Sequence, residues 1–332
     1  MASQPVSATL RRTRRPSPKE EPRVSDVTTQ HATERADFQA TSDPALLESA
    51  DRGESQLLDY HQLYELWERQ QWRTQDLDFS QDRVDWHERI PPDERYARMY
   101  GLSSFFVGEQ RVAEELGPMM RACPQEDMRI FLCTQIADEA RHVAFFDRFY
   151  AEVGVLEAGD LRGRLEETSQ HLNPEFEELF DQALRDRVDR LGRDPGDLET
   201  LVEAVTIYHM VIEGMLALTG QHFIIEYNEE QGTLPAFVEG FLKVARDEHR
   251  HVAFGARFLR DMSQRDPRYT EAIQRAMADA LPLAEGVLRP KWIPEEQPDD
   301  VEIFGTTIAE TREFAAKALG RRLKVIGLVA TA

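Results

Sequence analysis

Two stretches of the chain are near copies of each other. DEARHVAFFDRF (Asp138 to Phe149) and DEHRHVAFGARF (Asp247 to Phe258) agree at nine of twelve positions and start 109 residues apart. In a helix, residues three apart lie on one face. Glu139 and His142 therefore project together, and so do Glu248 and His251. Each copy offers one carboxylate and one imidazole to a single point. Two such helices face to face would offer two of each. A helix bundle that holds a pair of metal ions in its core needs one further Glu from each of the other two helices.

The chain supplies both. Glu109 sits in SSFFVGEQRVAEE, 30 residues before Glu139, and Glu213 sits in YHMVIEGMLALTG, 35 residues before Glu248. Glu213 is flanked by Met210, Val211, Ile212, Met215, Leu216 and Leu218, and Glu109 follows Phe105, Phe106 and Val107. An ionised carboxylate among such neighbours costs several kcal/mol (order of magnitude) unless it is paired or metal-bound. A lone Glu-x-x-His is common on a solvated helix face. Two copies, with two apolar-embedded Glu residues at matched distances, point to a di-metal site. Four carboxylates and two divalent cations sum to zero charge, and oxygen ligands with imidazoles suit iron or manganese. Asp138 and Asp247 precede the Glu of each copy. Metal-bound imidazoles usually donate their second N–H to a carboxylate, so Asp247 is expected to orient His142 and Asp138 to orient His251. His209 lies four residues before Glu213 and is read as a core or supporting histidine rather than a ligand.

Pattern and punctuation predict an all-helical chain. Four long helices are expected at roughly 92–122, 125–153, 196–229 and 235–263. At ~1.5 Å per residue each spans on the order of 40–50 Å. They form two pairs, each ending in the repeated segment, as in a duplicated helical hairpin. Shorter helices are expected at Tyr60–Gln71, Leu156–Gln170, Pro174–Leu191, Tyr269–Leu288 and Val301–Leu323, with Asp76–Ile90 as an irregular connection. Proline or glycine marks most boundaries. Alternating β-branched runs are nearly absent, so strands have little support. Residues 1–45 are rich in Ser, Thr, Pro, Arg and Glu and read as a disordered arm, leaving 46–332 as one helical domain.

Composition narrows the function. A net charge of −21 argues against a nucleic-acid partner. Two cysteines, Cys123 and Cys133, make no disulfide framework and fit a cytoplasmic protein. No run of 18 apolar residues suggests a membrane span, and no apolar stretch follows RRTRR near the N-terminus to make a secretory signal.

Five segments in order, DLDFSQDRVDW, GEQRV, FLCTQIADEARH, YHMVIEGMLALTG and RDEHRHVAFG, resemble the ribonucleotide-reductase-small-subunit-like ligand-binding oxidases of the ferritin-like superfamily. The match runs from about Leu66 to Leu288. It implies a ferritin-like four-helix bundle with additional helices, as in ribonucleotide reductase small subunits. It also implies a mixed manganese/iron centre (or di-iron), a long-chain fatty-acid-like ligand beside it, and a homodimer. The chemistry implied is dioxygen reduction coupled to two-electron oxidation of an unactivated C–H bond. In that family a Val three residues after the first ligand Glu and a Tyr five before the third become joined by an ether link; here these are Val112 and Tyr208. Val112 shares the face of Glu109. Tyr208 would be rotated away from Glu213 in a regular helix, and a π-bulge would bring it back.

Two alternatives share the ligand set. One is the radical-generating small subunit of ribonucleotide reductase. Phe146 stands four residues after His142, where a radical-storing Tyr is expected, and no Tyr follows Tyr269 to serve a C-terminal radical path. The other is a non-catalytic, ferritin-like iron-binding protein.

Overall fold

Helices Pro92–Ala122, Glu126–Val153, Leu198–Gln231 and Pro235–Arg265 form the frame, close to the predicted boundaries. The computed structural model describes residues 57–294 and 296–328. The N-terminal arm read from the sequence lies outside the described residues. The four helices are called below by the glutamate each carries: Glu109, Glu139, Glu213 and Glu248.

Local chemistry sets the ends. Pro92 and Pro235 occupy first turns, where a missing N–H costs nothing. Gly154 and Gly232 end the Glu139 and Glu213 helices with φ of 75° and 59°, the left-handed region that glycine enters without penalty. The Glu109 and Glu139 helices pack along each other as a hairpin. The Glu213 helix lies against the Glu248 helix and is covered outside by Pro267–Val287 and Ile308–Ile326. By length and composition the Glu213 helix could cross a membrane, but its most apolar window is 94% buried inside the protein, so it is the core of the bundle.

Two expectations need correcting. The 76–90 stretch is not irregular. It holds a short helix, Ser80–Val84, and a π turn, Asp85–Arg89. Its two buried aspartates cap a distant helix. Asp82 accepts from the backbone N–H of Ala236 (3.0 Å) and Phe237 (2.7 Å), and Asp85 from that of Leu234 (2.9 Å). Burial pushes the Asp82 carboxyl up to about 6 despite those donors. The start of the Glu248 helix is thus held from 150-odd residues away in sequence, a contact with no local periodic signal. We expect Asp82→Ala to cost about 1–3 kcal/mol by stranding two buried donors, read as a lower urea midpoint at unchanged slope. An unchanged midpoint would remove the capping role.

The second correction concerns the last helix, which begins at Ile308 rather than Val301. A pair of two-residue strands, Glu302–Ile303 and Thr306–Thr307, precedes it. Phe304 and Gly305, both at positive φ, make the tight turn between them. Thr307 and Glu310 then form a reciprocal cap that fixes where the helix starts. In the gap between the two hairpins, helices occupy 161–169 and 174–193, as the spacing predicts.

Candidate metal centre

The six predicted ligands meet in the middle of the bundle, one group from each helix or a Glu/His pair. Glu109, Glu139, His142 and Glu248 bring ligand atoms within 4.8 Å of one another, and so do Glu139, Glu213, Glu248 and His251. Glu139 and Glu248 belong to both sets and sit between the two positions. All six side chains are buried. His142 Nδ1 lies 3.2 Å from Glu109 and 3.3 Å from Glu139; His251 Nδ1 lies 3.3 Å from both Glu139 and Glu213.

The outward nitrogens face carboxylates. His142 Nε2 is 3.3 Å from Asp247, and His251 Nε2 is 3.2 Å from Asp138. Each aspartate comes from the opposite copy of the repeat. With Nε2–H donating outward, each Nδ1 presents its lone pair to the centre. The aspartates are held in turn. Arg250, itself buried, donates to Asp138 (2.9 Å) and Asp247 (2.7 Å). Trp67 donates to Asp138 (2.9 Å) and Trp72 to Asp247 (2.7 Å). Arg141 lies 3.1 Å from Asp138 and 3.4 Å from Asp247. Arg141 and Arg250 occupy the same place in the two copies of the repeat, a signal the sequence reading passed over. The tryptophans carried no such signal.

The electrostatics are those of a cation site. Burial drives the carboxyls of Glu109 and Glu213 well above the usual range. Burial opposes charge on His142 and His251 too, yet Glu109 and Asp247 carry the first well up, and Glu139 and Asp138 the second. Protons therefore compensate the carboxylates where no cation does. Buried oxygens on Glu139, Glu213 and Glu248 (Oε2 of each) have no hydrogen-bond partner, nor has His251 Nδ1. Buried polar atoms are rarely left so, and these all belong to the proposed ligand set. The donor set and its orphaned atoms fit a pair of divalent metal ions.

His209 is not among the ligands. Its Nε2 lies 3.1 Å from Gln135 Oε1, and burial pushes its imidazole down to about 3. Gln135, which the sequence reading did not single out, donates to Glu213 Oε1 at 2.9 Å and Glu139 Oε1 at 3.3 Å. Tyr208 donates to Glu139 Oε1 at 2.9 Å. Residues Thr206–Ala217 are π-helical, so five residues separate hydrogen-bonded partners along the helix. Tyr208 and Glu213 therefore face the centre together. Val112 is buried one turn beyond Glu109. Phe146 packs among Phe106, Phe145, Phe237 and Phe241.

A cavity of about 240 Å³ adjoins this centre. Glu109, Val112, Glu213 and Glu248 line it on the side of the centre, together with Phe105, Phe180, Leu216 and Ile224 and the half-buried Tyr227 and Phe304. Its wall is predominantly apolar.

The sequence pattern of the ribonucleotide reductase small chain matches residues 56–330. Among solved structures, the chain is similar to a mutant R2-like ligand-binding oxidase with an anaerobically reconstituted Mn/Fe cofactor. The identity is 26% and the TM-score 0.70, covering 83% of this chain and 94% of that one. A second mutant of that description aligns at 27% identity and TM-score 0.69, over 81% and 93% of the two chains. The first of these mutants, with a non-activated Mn/Mn cofactor, aligns at 27% identity and TM-score 0.70, over 81% and 93%. The chain has the ferritin-like architecture of these proteins and belongs to the ribonucleotide reductase small-chain family.

Proposed function

We propose that the protein is an oxidase that uses a manganese/iron pair to activate dioxygen and oxidise a long-chain, fatty-acid-like ligand. The observation that carries this reading is the cavity. A storage site needs access for ions, and a radical-generating subunit is expected to carry its radical-storing Tyr four residues after the first ligand His. Here a mainly apolar cavity is lined by four residues of the centre, Glu109, Val112, Glu213 and Glu248, and Phe146 stands where the storing Tyr is expected. Glu109, Glu139, His142, Glu213, Glu248 and His251 would hold the metals, with Asp138 and Asp247 behind the histidines. When bound, the metals supply the electrons that reduce dioxygen and the oxidising power to break a C–H bond. The protein's residues do the rest. Phe105, Phe180 and Leu216 exclude water and align an acyl chain. The buried aspartates hold the imidazoles in one tautomer. Homodimer assembly is proposed on the family resemblance.

Tyr208 and Val112 give the reading its chemical test. Both border the centre, and the Tyr208 hydroxyl already hydrogen-bonds a shared ligand. An ether link between Tyr208 oxygen and Val112 Cβ forms one C–O bond and removes two hydrogen atoms, whose electrons go to dioxygen. We expect protein loaded anaerobically with Mn(II) and Fe(II), then exposed to oxygen, to be lighter by two hydrogens. Its tryptic peptides containing Val112 and Tyr208 should travel as one. Apo protein in air, and Tyr208→Phe with metals, should give separate peptides. Separate peptides from the metallated, oxygen-treated wild type would remove the oxidase reading and leave a di-metal helical protein.

A further inference from the structure

The duplication that builds the centre is broken at one place. Aligned on the repeat, Gln135 stands four residues before Glu139, and Val244 stands four before Glu248. The partner of Gln135, His209, stands four residues before Glu213, and the corresponding place before Glu109 is Phe105. One half of the centre therefore has a polar pair behind its carboxylates, and the other has an apolar pair. Gln135, His209 and Val244 are all completely buried. A buried primary amide in an apolar bundle is costly unless all its groups are satisfied, and Gln135 spends every one on this centre. Its oxygen faces His209 Nε2, and its nitrogen donates to Glu213 and Glu139.

His209 is fixed by packing, although its buried Nδ1 has no hydrogen-bond partner. A Cβ at Gly255 would lie 2.2 Å from the His209 Cβ, so glycine is required for the imidazole to sit there. Phe254 flanks the ring at 5.4 Å between centroids. The carboxylates of Glu213 and Glu139 accept from the Gln135 NH₂, so its Oε1 faces His209 and takes a proton from Nε2–H of the neutral imidazole. Glu213 Oε1 is thereby pinned by a hydrogen bond, and Oε2 is left unpartnered. Each terminal glutamate also has an imidazole beside it, His142 Nδ1 at 3.2 Å from Glu109 and His251 Nδ1 at 3.3 Å from Glu213, so the amide is what distinguishes the two.

We infer that Gln135, held by His209, is a positioning residue that makes the two metal positions unequal. It holds Glu213 to one free oxygen at the Glu139–Glu213–Glu248–His251 position, whereas the other half has the apolar Val244 in the matching place and no amide to hold Glu109 in that way. This rests on the di-metal reading above and adds to it a cause for selectivity. Manganese and iron accept the same donor atoms, so a protein separates them by geometry rather than by ligand type. A carboxylate that cannot turn offers one coordination number; a free one offers two.

The test is site-resolved. Wild-type protein and Gln135→Met, which fills a similar volume without an amide, are exposed anaerobically to equal Mn(II) and Fe(II), and occupancies are read by anomalous scattering at both metal edges. We expect unequal Mn:Fe ratios at the two wild-type positions. In Gln135→Met the ratio at the Glu213 position should move towards that at the Glu109 position by about 10-fold, in the range typical for losing a partner of a ligand, with both positions still filled. Gln135→Val, which copies the other half, should do the same. Unchanged ratios in both variants overturn the inference. So does loss of both metals in equal proportion, which would make Gln135 a packing residue. Equal ratios in the wild type overturn it while leaving the di-metal reading intact. A wild type that binds no metal pair overturns the reading itself, and the inference with it.

Discussion

Glu213→Ala is expected to strip the centre of metal without unfolding the protein. Glu213 completes the position it shares with Glu139, Glu248 and His251, and no neighbouring carboxylate stands ready to replace it. Its flanking residues, Ile212 and Gly214, carry no donor atom, and Gln135 offers only a neutral amide. The loss of affinity at that position should exceed the about 10–100-fold typical of removing a mere partner of a ligand. The fold should survive, and the reason is electrostatic. Without metal, burial and the nearby Glu248 hold the Glu213 carboxyl well above its ordinary range. Its charged form is a burden to the apo protein. Removing it relieves that burden; against the relief stand a small cavity, worth about 1 kcal/mol per lost methylene, and the loss of the acceptor that Gln135 meets at 2.9 Å, which costs about 1–3 kcal/mol. Elemental analysis should therefore show metal content falling sharply in a protein whose far-ultraviolet circular dichroism is unchanged. Glu213→Gln, which keeps the volume, should lose metal as well. Full metal retention in either variant would dismiss Glu213 as a ligand.

The candidate ligand set was legible because it is written in helix geometry. Three-residue spacing puts Glu139 with His142 and Glu248 with His251, and apolar flanks expose Glu109 and Glu213 as residues out of place. The crossed pairing of Asp138 with His251 and Asp247 with His142 followed from the repeat, and the structure places them at hydrogen-bonding distance. What stayed hidden depends on contacts between segments far apart in the chain. Trp67 reaches Asp138 across 71 residues and Trp72 reaches Asp247 across 175; nothing near either tryptophan predicts a target. The Asp82 and Asp85 caps are hidden for the same reason. Gln135 was concealed differently. It lies inside a segment already noticed, but its meaning appears only when set against Val244 in the other copy. The short strand pair before Ile308 escaped because two residues are too few to show alternation.

Asp247→Asn should weaken metal binding by about 10–100-fold with little change in shape. Asp247 has no exposure and four groups converge on it. Trp72 and His142 approach Oδ2 at 2.7 and 3.3 Å, Arg250 approaches Oδ1 at 2.7 Å, and Arg141 lies 3.4 Å from Oδ2. All four are donors. Asparagine keeps one acceptor oxygen and turns the other corner into an NH₂. If the oxygen stays with Trp72 and His142, the NH₂ meets the Arg250 guanidinium, donor against donor. If the amide flips, His142 loses its acceptor, and its Nδ1 is no longer bound to remain the deprotonated nitrogen. Either way a negative charge that strengthens the imidazole as a ligand is gone. The loss should fall mainly on the position formed by Glu109, Glu139, His142 and Glu248, because His251 relies on Asp138 instead. Asp138→Asn should mirror it, weakening the Glu213 side. Competition with a chelator gives the two affinities, and edge-resolved anomalous scattering shows which position empties. Losses shared equally between the positions in both variants would mean that the aspartates act through the Arg250 network as a whole. Affinities equal to wild type would mean that they support packing and nothing more.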